Sequence, residues 1–260
     1  MKKTLLLLVA LCLTIALADA RTVRKVYDFD DFTALNVTNA FDVILEHGDE
    51  YRVEIEITEE FLPYLLVKNR GGVLELNFTR LPFRLKQKAR SRIAQATVRM
   101  PVLTDVTLSG ASKLTCNDQF SNTMNRFNID LRGGSQITNL NIKAPEVVIK
   151  LAGASKAVLS VRSSDVDVDL AGASRLNIEG DTQEFDVKAV GASTVNADDF
   201  DAADVSVIAK GASKVDVMVT ESLSVSLAGA SKCRYYGDSD YVKVKADQIG
   251  GGSSLKQMKK

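Results

Sequence analysis

The chain has no tryptophan, a single histidine, four prolines and three cysteines among its 260 residues. Each scarcity removes something. With His47 alone, in the charged segment "EHGDEY", no nucleophile can be given the base that a serine or cysteine triad requires. Lysine plus arginine equals aspartate plus glutamate at 33 each, so no overall field steers the chain to nucleic acid or to an anionic membrane. Past the first twenty residues there is no apolar run of about eighteen, the length a spanning helix needs. Among the repeats described below, no stretch shows a capped helical period.

The N-terminus reads as an export leader. Lys2 and Lys3 precede an apolar run from Leu5 to Leu17, and Ala18-Asp19-Ala20 supplies the small-x-small site of a signal peptidase. The expected mature chain begins at Arg21, outside the cytoplasm: in the periplasm, at the outer membrane or on the cell surface. Cys12 follows Leu11, which is too large for a lipoprotein cleavage site, so cleavage is preferred to lipidation.

What the sequence has in abundance is one corner. G-[A/G]-S recurs at Gly110, Gly133, Gly153, Gly172, Gly191, Gly211, Gly229 and Gly251, at intervals of 23, 20, 19, 19, 20, 18 and 22 residues. A period near twenty is the mark of a solenoid. Before the corners, apolar and polar residues alternate, as in Phe127, Ile129, Leu131 and Val166, Val168, Leu170, with Asn128, Asp130, Asp167 and Asp169 between them. After the corners the alternation resumes, with Ser174, Leu176 and Ile178 on one side and Arg175 and Asn177 on the other. Period two means strands with one buried face. Each repeat therefore reads as strand, tight corner, strand, loop. Such a unit cannot bury its apolar face alone, but parallel copies stacked about 4.8 Å apart share one core. Glycine permits the bend, and the serines from Ser112 to Ser253 are placed to bond the backbone there.

The corners "LSGASKLT" and "LAGASRLNIEG", with the opening "DFDDFTALNVTNAFDVILEHGDEYRVEIE", resemble the head GIN domain family of auto-transporter adhesins, exported proteins of Gram-negative bacteria. The resemblance runs from about Val23 to Ser254. It implies an all-β, right-handed parallel β-helix and no established enzymatic activity. The period and spacing say nothing about adhesion.

The expected organisation is a leader over 1–20, a strand-rich capping region or first coils over 21–100, and the β-helix of G-[A/G]-S repeats over 101–260. In "LNVTNAFDVILEHG", Asn39 stands where a corner glycine would, and asparagine tolerates the same left-handed backbone. "TEEFLPYLLVKNRGG" is expected to hold one helical turn, with Thr58 as cap and Gly71 as stop.

Several charge constellations remain. The residue after each corner serine is basic at Lys113, Lys156, Arg175, Lys214 and Lys232, and by parity it points outward. Stacked, these make a row for a repeating anionic ligand, or only a solubilising face. Between Phe78 and Thr104 no residue is acidic, while Arg84, Lys86, Lys88, Arg90 and Arg92 form a basic arm for a polyanion, or a solvated loop that protects an edge. Asp165, Asp167 and Asp169 share one strand face, about 7 Å apart, a row rather than a calcium cage. The loop Asp198, Asp199, Asp201 and Asp204 suits calcium better but lacks the glycine spacing of calcium-binding repeats. Cys116 and Cys233 follow the first and seventh corners, which puts them roughly 29 Å apart and unpaired.

No cofactor, metal or catalytic set is expected. The leading reading is an exported, non-enzymatic β-helix protein presenting an extended face to a cell-surface glycan or envelope protein. The alternatives are a polysaccharide lyase or hydrolase on the same scaffold, by analogy of fold alone, and a purely structural envelope component.

Overall fold

The computed structural model describes residues 21–88, 92–122, 126–238 and 240–259. The leader expected over 1–20 and Arg90 lie outside the described residues. The alternation found in the sequence becomes a β-solenoid of about 8 turns with roughly 20 residues per turn. Phe127, Val147 and Val166 are neighbours in successive coils, as are Leu131, Leu151 and Leu170, all through parallel pairings. The post-corner strands stack in the same way: Lys156 lies beside Arg175, Arg175 beside Thr194 and Lys214 beside Lys232. Inward residues from every level join one core that runs from Phe32 to Val242. Phe185 and Phe200 meet edge to face within it, with ring centroids 5.0 Å apart.

The corner is built by two residues. Gly191 has φ +94°, and a Cβ there would lie 2.6 Å from the carbonyl oxygen of Gly172 one coil away. That oxygen accepts the backbone N–H of Ala192 at 2.7 Å, so the close approach is itself a hydrogen bond. Ser193, fully buried, donates from Oγ to the Val190 carbonyl at 3.1 Å and closes the turn from inside. The same bond from a serine to the carbonyl three residues earlier recurs at Ser112, Ser135, Ser155, Ser174, Ser213 and Ser231. A buried hydroxyl is thereby satisfied at every level, which a dry corner requires. Ser253, in the last corner, instead reaches the Gly229 carbonyl at 3.3 Å.

Residues 21–100 are joined to the stack out of chain order. Ala34–Val37 lies parallel between Val73–Phe78 and Asp105–Leu108, and Asp42–His47 lies parallel between Ala94–Met100 and Lys113–Cys116. Asn39 forms the corner between these two strands with φ +66°, and Gly110 stacks directly against it. Outside this level the pairing turns antiparallel. Arg52–Thr58 pairs with Ala94–Met100, Thr22–Tyr27 pairs with Arg52–Thr58, and Leu65–Arg70 pairs with Val73–Phe78.

Three local expectations need correcting. The helical turn exists as a 3-10 helix, Glu59–Tyr64, but Thr58 makes no side-chain cap. Its hydroxyl accepts the Ile93 backbone N–H instead, at 2.9 Å. The helix also stops well before Gly71, because 65–70 is strand, and Gly71 and Gly72 form the two-residue turn of a hairpin with φ +59° and +79°. Finally, the loop expected after each post-corner strand vanishes in three places: Arg175–Gly191, Thr194–Gly211 and Lys214–Gly229 are continuous strands that bend without leaving the ladder.

Cys116 and Cys233 are buried and unpaired. Burial pushes the Cys116 thiol up to about 11 and the Cys233 thiol to about 12. Both therefore stay protonated at neutral pH, and a thiol reagent should titrate them only after denaturation; rapid reaction of the native protein would contradict this packing. A sharper test compares two glycines that share a positive φ. Gly191→Ala adds an atom 2.6 Å from a carbonyl oxygen, whereas at Gly134, φ +91°, nothing lies within 4 Å. Denaturant titration should show a loss of about 3 kcal/mol for the first and about 1 kcal/mol for the second.

Candidate functional site

The candidate site lies on the outer face of the post-corner strands. A groove of about 730 Å³ runs across the strands, with lining residues from Asn117 and Asn139 through Ser160, Asn177 and Asn196 to Asp216 and Arg234. It coincides with register slips between Ile137 and Leu140, between Asn177 and Glu179, and between Ala197 and Asp201. These slips break the otherwise regular face. Along the floor the amides form part of a ladder: Asn196 Nδ2 donates to Asn177 Oδ1 at 2.8 Å, and Asn139 Nδ2 lies 3.4 Å from Asn117 Oδ1. Asn139 holds φ +56°, the left-handed region that asparagine tolerates better than most residues.

One end of the groove is anchored by a charged cluster. Asp216 is only 3% exposed, yet it is outward by position. Arg234 grips it with two bonds, Nε to Oδ1 at 2.7 Å and a second from its terminal nitrogen to Oδ2. Lys214 Nζ adds a contact at 2.9 Å. Burial alone would raise the Asp216 carboxyl, but the hydrogen bonds from Arg234 and Lys214 outweigh it and hold the group below the usual carboxylate range.

The basic row lies two residues toward the corner from the amides of Asn177 and Asn196. The serine carbonyl of each coil accepts the backbone N–H of the row residue in the next, Ser155 from Arg175 and Ser213 from Lys232, both at 2.9 Å. Lys113, Gln136, Lys156, Arg175, Thr194, Lys214 and Lys232 thus fall in one column. Lys113 lies 3.8 Å from Asp42 and Lys214 serves Asp216. Lys156, Arg175 and Lys232 are exposed, and among the described residues none has an ionic partner within 4.0 Å.

The basic arm is dispersed. Phe83–Lys88 is a short helix anchored by buried Leu85, with Arg84 and Lys86 exposed and Lys88 paired to Glu60 at 3.0 Å. Arg92 is drawn under the chain: its guanidinium lies 4.7 Å from the Phe78 ring centroid and 5.5 Å from that of Phe61, and it donates to the Asn39 carbonyl. His47 ends its strand exposed, with its ring edge-on to Phe120 at 5.3 Å, and does not line the groove.

On the opposite, pre-corner face, Glu146, Asp165, Glu184 and Asp204 form an acidic column. Partial burial, then the neighbouring carboxylates Asp167, Glu146, Glu184 and Asp186, raise Asp165. Asp169 instead approaches Lys188 at 3.8 Å. Asp198, Asp199 and Asp201 lie at the register slip, with Asp204 back on the regular ladder, where Ser222 donates to it. Among the described residues no group of three or more acidic, histidine or cysteine side chains is arranged to hold a metal ion. Nor is any described helix long and apolar enough to cross a membrane.

The sequence identified the cation column but not the groove beside it. Alternation assigns Asn177 and Asn196 to the outside; only the register slips, which leave no composition signal, make that outside concave. The run of asparagines at 117, 139, 141, 177 and 196 was the available hint.

Asp216 also carries a pH prediction. A carboxyl whose folded pKa is depressed contributes stability that is complete above its unfolded pKa and is lost as pH falls through the folded value. Asp216→Asn should therefore destabilise the protein at neutral pH by about 1–3 kcal/mol, the arginine half of the pair being solvent-facing. The gap from wild type should close as the medium is made more acidic than the ordinary aspartate range. Denaturant midpoints at several pH values read it directly, and a pH-independent gap would assign the loss to packing.

Solved structures share this fold. A putative lipid binding protein from Parabacteroides distasonis ATCC 8503 superposes with a TM-score of 0.81 at 15% identity, covering 92% of this chain and 98% of its own. A putative adhesin from Parabacteroides merdae ATCC 43184 gives 0.81 at 16%, covering 92% and 97%. Another putative adhesin from Parabacteroides distasonis ATCC 8503 gives 0.81 at 17%, covering 92% and 98%. No curated protein matches the sequence. The family model described as "Putative auto-transporter adhesin, head GIN domain" matches residues 31–239, and with its corners, its stacked coils and its opening strands this chain belongs to that family.

Proposed function

We propose that the protein is an exported, non-enzymatic binding protein of adhesin type, and that it holds an extended partner in the groove along its post-corner face. The observation that carries this reading is the geometry of the groove. It crosses successive coils, each contributing polar side chains at nearly the same position, so it presents a repeated surface rather than one reactive centre. Membership of an adhesin family and the leader over 1–20 support export and binding.

The lining argues against catalysis. A general acid needs a pKa raised toward the working pH. Asp216, the buried carboxylate of the groove, is displaced the other way and locked to Arg234. The single imidazole, on His47, is not among the lining residues.

The test uses the mature chain, 21–260, on an immobilised panel of linear glycans and extended peptides, with an assay for released sugar run in parallel. Asn177→Trp fills the groove without disturbing the inward face. Wild type should retain at least one extended ligand that the filled variant loses, with no product released. Equal retention by both proteins, or turnover, would overturn the reading.

A further inference from the structure

We infer that the groove binds a linear acidic glycan, laid along the solenoid axis with its carboxylates toward Lys156, Arg175 and Lys232. This rests on the reading of the groove as a site for an extended partner and adds the chemistry of that partner.

The first argument is periodicity. Equivalent side chains repeat along the axis every coil, about 4.8 Å. An extended peptide presents same-face groups about 6.7 Å apart, so it falls out of step within two or three coils. A pyranose unit advances a glycan by close to one coil, so the groups a linear glycan presents on one face, which recur every second or third sugar, come back into step with a whole number of coils. Seven levels, from Asn117 to Arg234, span about 29 Å and hold a short run of sugars at once.

The second argument is chemistry. No aromatic side chain lines the groove, so it offers no stacking platform for the apolar face of a neutral sugar. Instead, with Asn196 Nδ2 bonded to Asn177 Oδ1, Asn177 turns its amide donors and Asn196 its carbonyl acceptor to the groove, groups suited to ring hydroxyls. Beside them lies the column of cations. Lys156 and Arg175 stand on adjacent coils, and neither they nor Lys232 have an ionic partner within 4.0 Å among the described residues. Desolvated contact with a ligand carboxylate supplies what the fold does not.

The third argument is orientation. Glu179 lines the groove farther along its strand from the corner than the cation column, which runs beside the lining. Its carboxylate repels an anionic edge on its side while the cations attract it on the other, so the ligand has one favourable way to lie. Specificity of this kind needs the repulsive edge as much as the attractive one.

Calorimetric titration with oligogalacturonates of increasing length, and with the same oligomers after carboxyl reduction, tests the inference. Affinity for the acidic series should rise with length and level off once the oligomer spans the groove. Reduction of the carboxyls should weaken binding about tenfold or more. The double variant Lys156→Gln/Arg175→Gln should lose about tenfold for the acidic oligomer, lose part of its salt dependence, and leave the reduced oligomer unaffected. Asn177→Ala should weaken both ligands; circular dichroism and thermal melting establish that each variant is folded. Equal binding of acidic and reduced oligomers, still sensitive to Asn177→Ala, would overturn the acidic assignment and leave the groove reading standing. Failure of both oligomers to bind overturns the glycan assignment, and the groove reading then stands or falls by the peptide arm of the panel.

Discussion

Everything in this molecule depends on a hydrogen bond from a buried serine hydroxyl to the carbonyl three residues before it. The bond closes a turn that the backbone would otherwise have to close with an N–H, and it frees the backbone groups of the corner to point up and down the stack. From Gly153 onward they do so as a continuous column: the glycine carbonyl of one coil accepts the N–H of the residue after the glycine in the next, at 2.7 Å. A carbonyl oxygen held that close leaves no room for a side chain above it. Glycine is therefore fixed twice, by its positive φ and by its neighbour, and the serine is fixed by being the one polar group that can live in the space left inside.

Once corners stack, every other position is placed by counting. Two residues before a corner is core, one after the serine is the cation column, and three after is the floor of the groove. This is why so much was legible in the sequence. Phe127, Ile129 and Leu131 announce an inward face by alternation alone, and Lys156 and Arg175 become neighbours as soon as their serines do. Even the degenerate first corner could be read, because asparagine at position 39 is the residue that best substitutes for glycine in the left-handed region.

What could not be read depends on contacts between distant segments. Nothing local says that 34–47 enters the stack between 73–100 and 105–116, because parallel pairing has no preference for chain order. Arg92 belongs by composition to a basic stretch, yet two aromatic rings from other elements and a backbone carbonyl claim it. The corners themselves hide a change of geometry. Asn39-Ala40, Gly110-Ala111 and Gly133-Gly134 place two consecutive residues at positive φ, whereas from Gly153 on only the glycine is so. Ala111 and Ala154 sit in the same G-A-S-K letters and adopt different backbones. Each corner rests on the one before it, so the geometry is inherited along the stack rather than encoded in the tripeptide.

The cation column is interrupted in a regular way, and electrostatics accounts for the interruption. Two like unit charges one coil apart repel by about 1 kcal/mol in water, and a third in line adds to both. The row runs Lys113, Gln136, Lys156, Arg175, Thr194, Lys214, Lys232, so neutral residues never allow more than two cations in sequence. The acidic column on the other face carries four carboxylates in succession, Glu146, Asp165, Glu184 and Asp204, and its crowding shows in the raised Asp165. It is relieved at one end by Arg126, bound to Glu146, and beside it by Lys188. Among the described residues both columns are thus relieved in part from within the fold, the basic one at Lys113 by Asp42 and at Lys214 by Asp216, the acidic one at Glu146 by Arg126. Where a column cannot be relieved by a partner it is relieved by spacing, which is why neutral Gln136 and Thr194 stand where a third cation in line would otherwise fall.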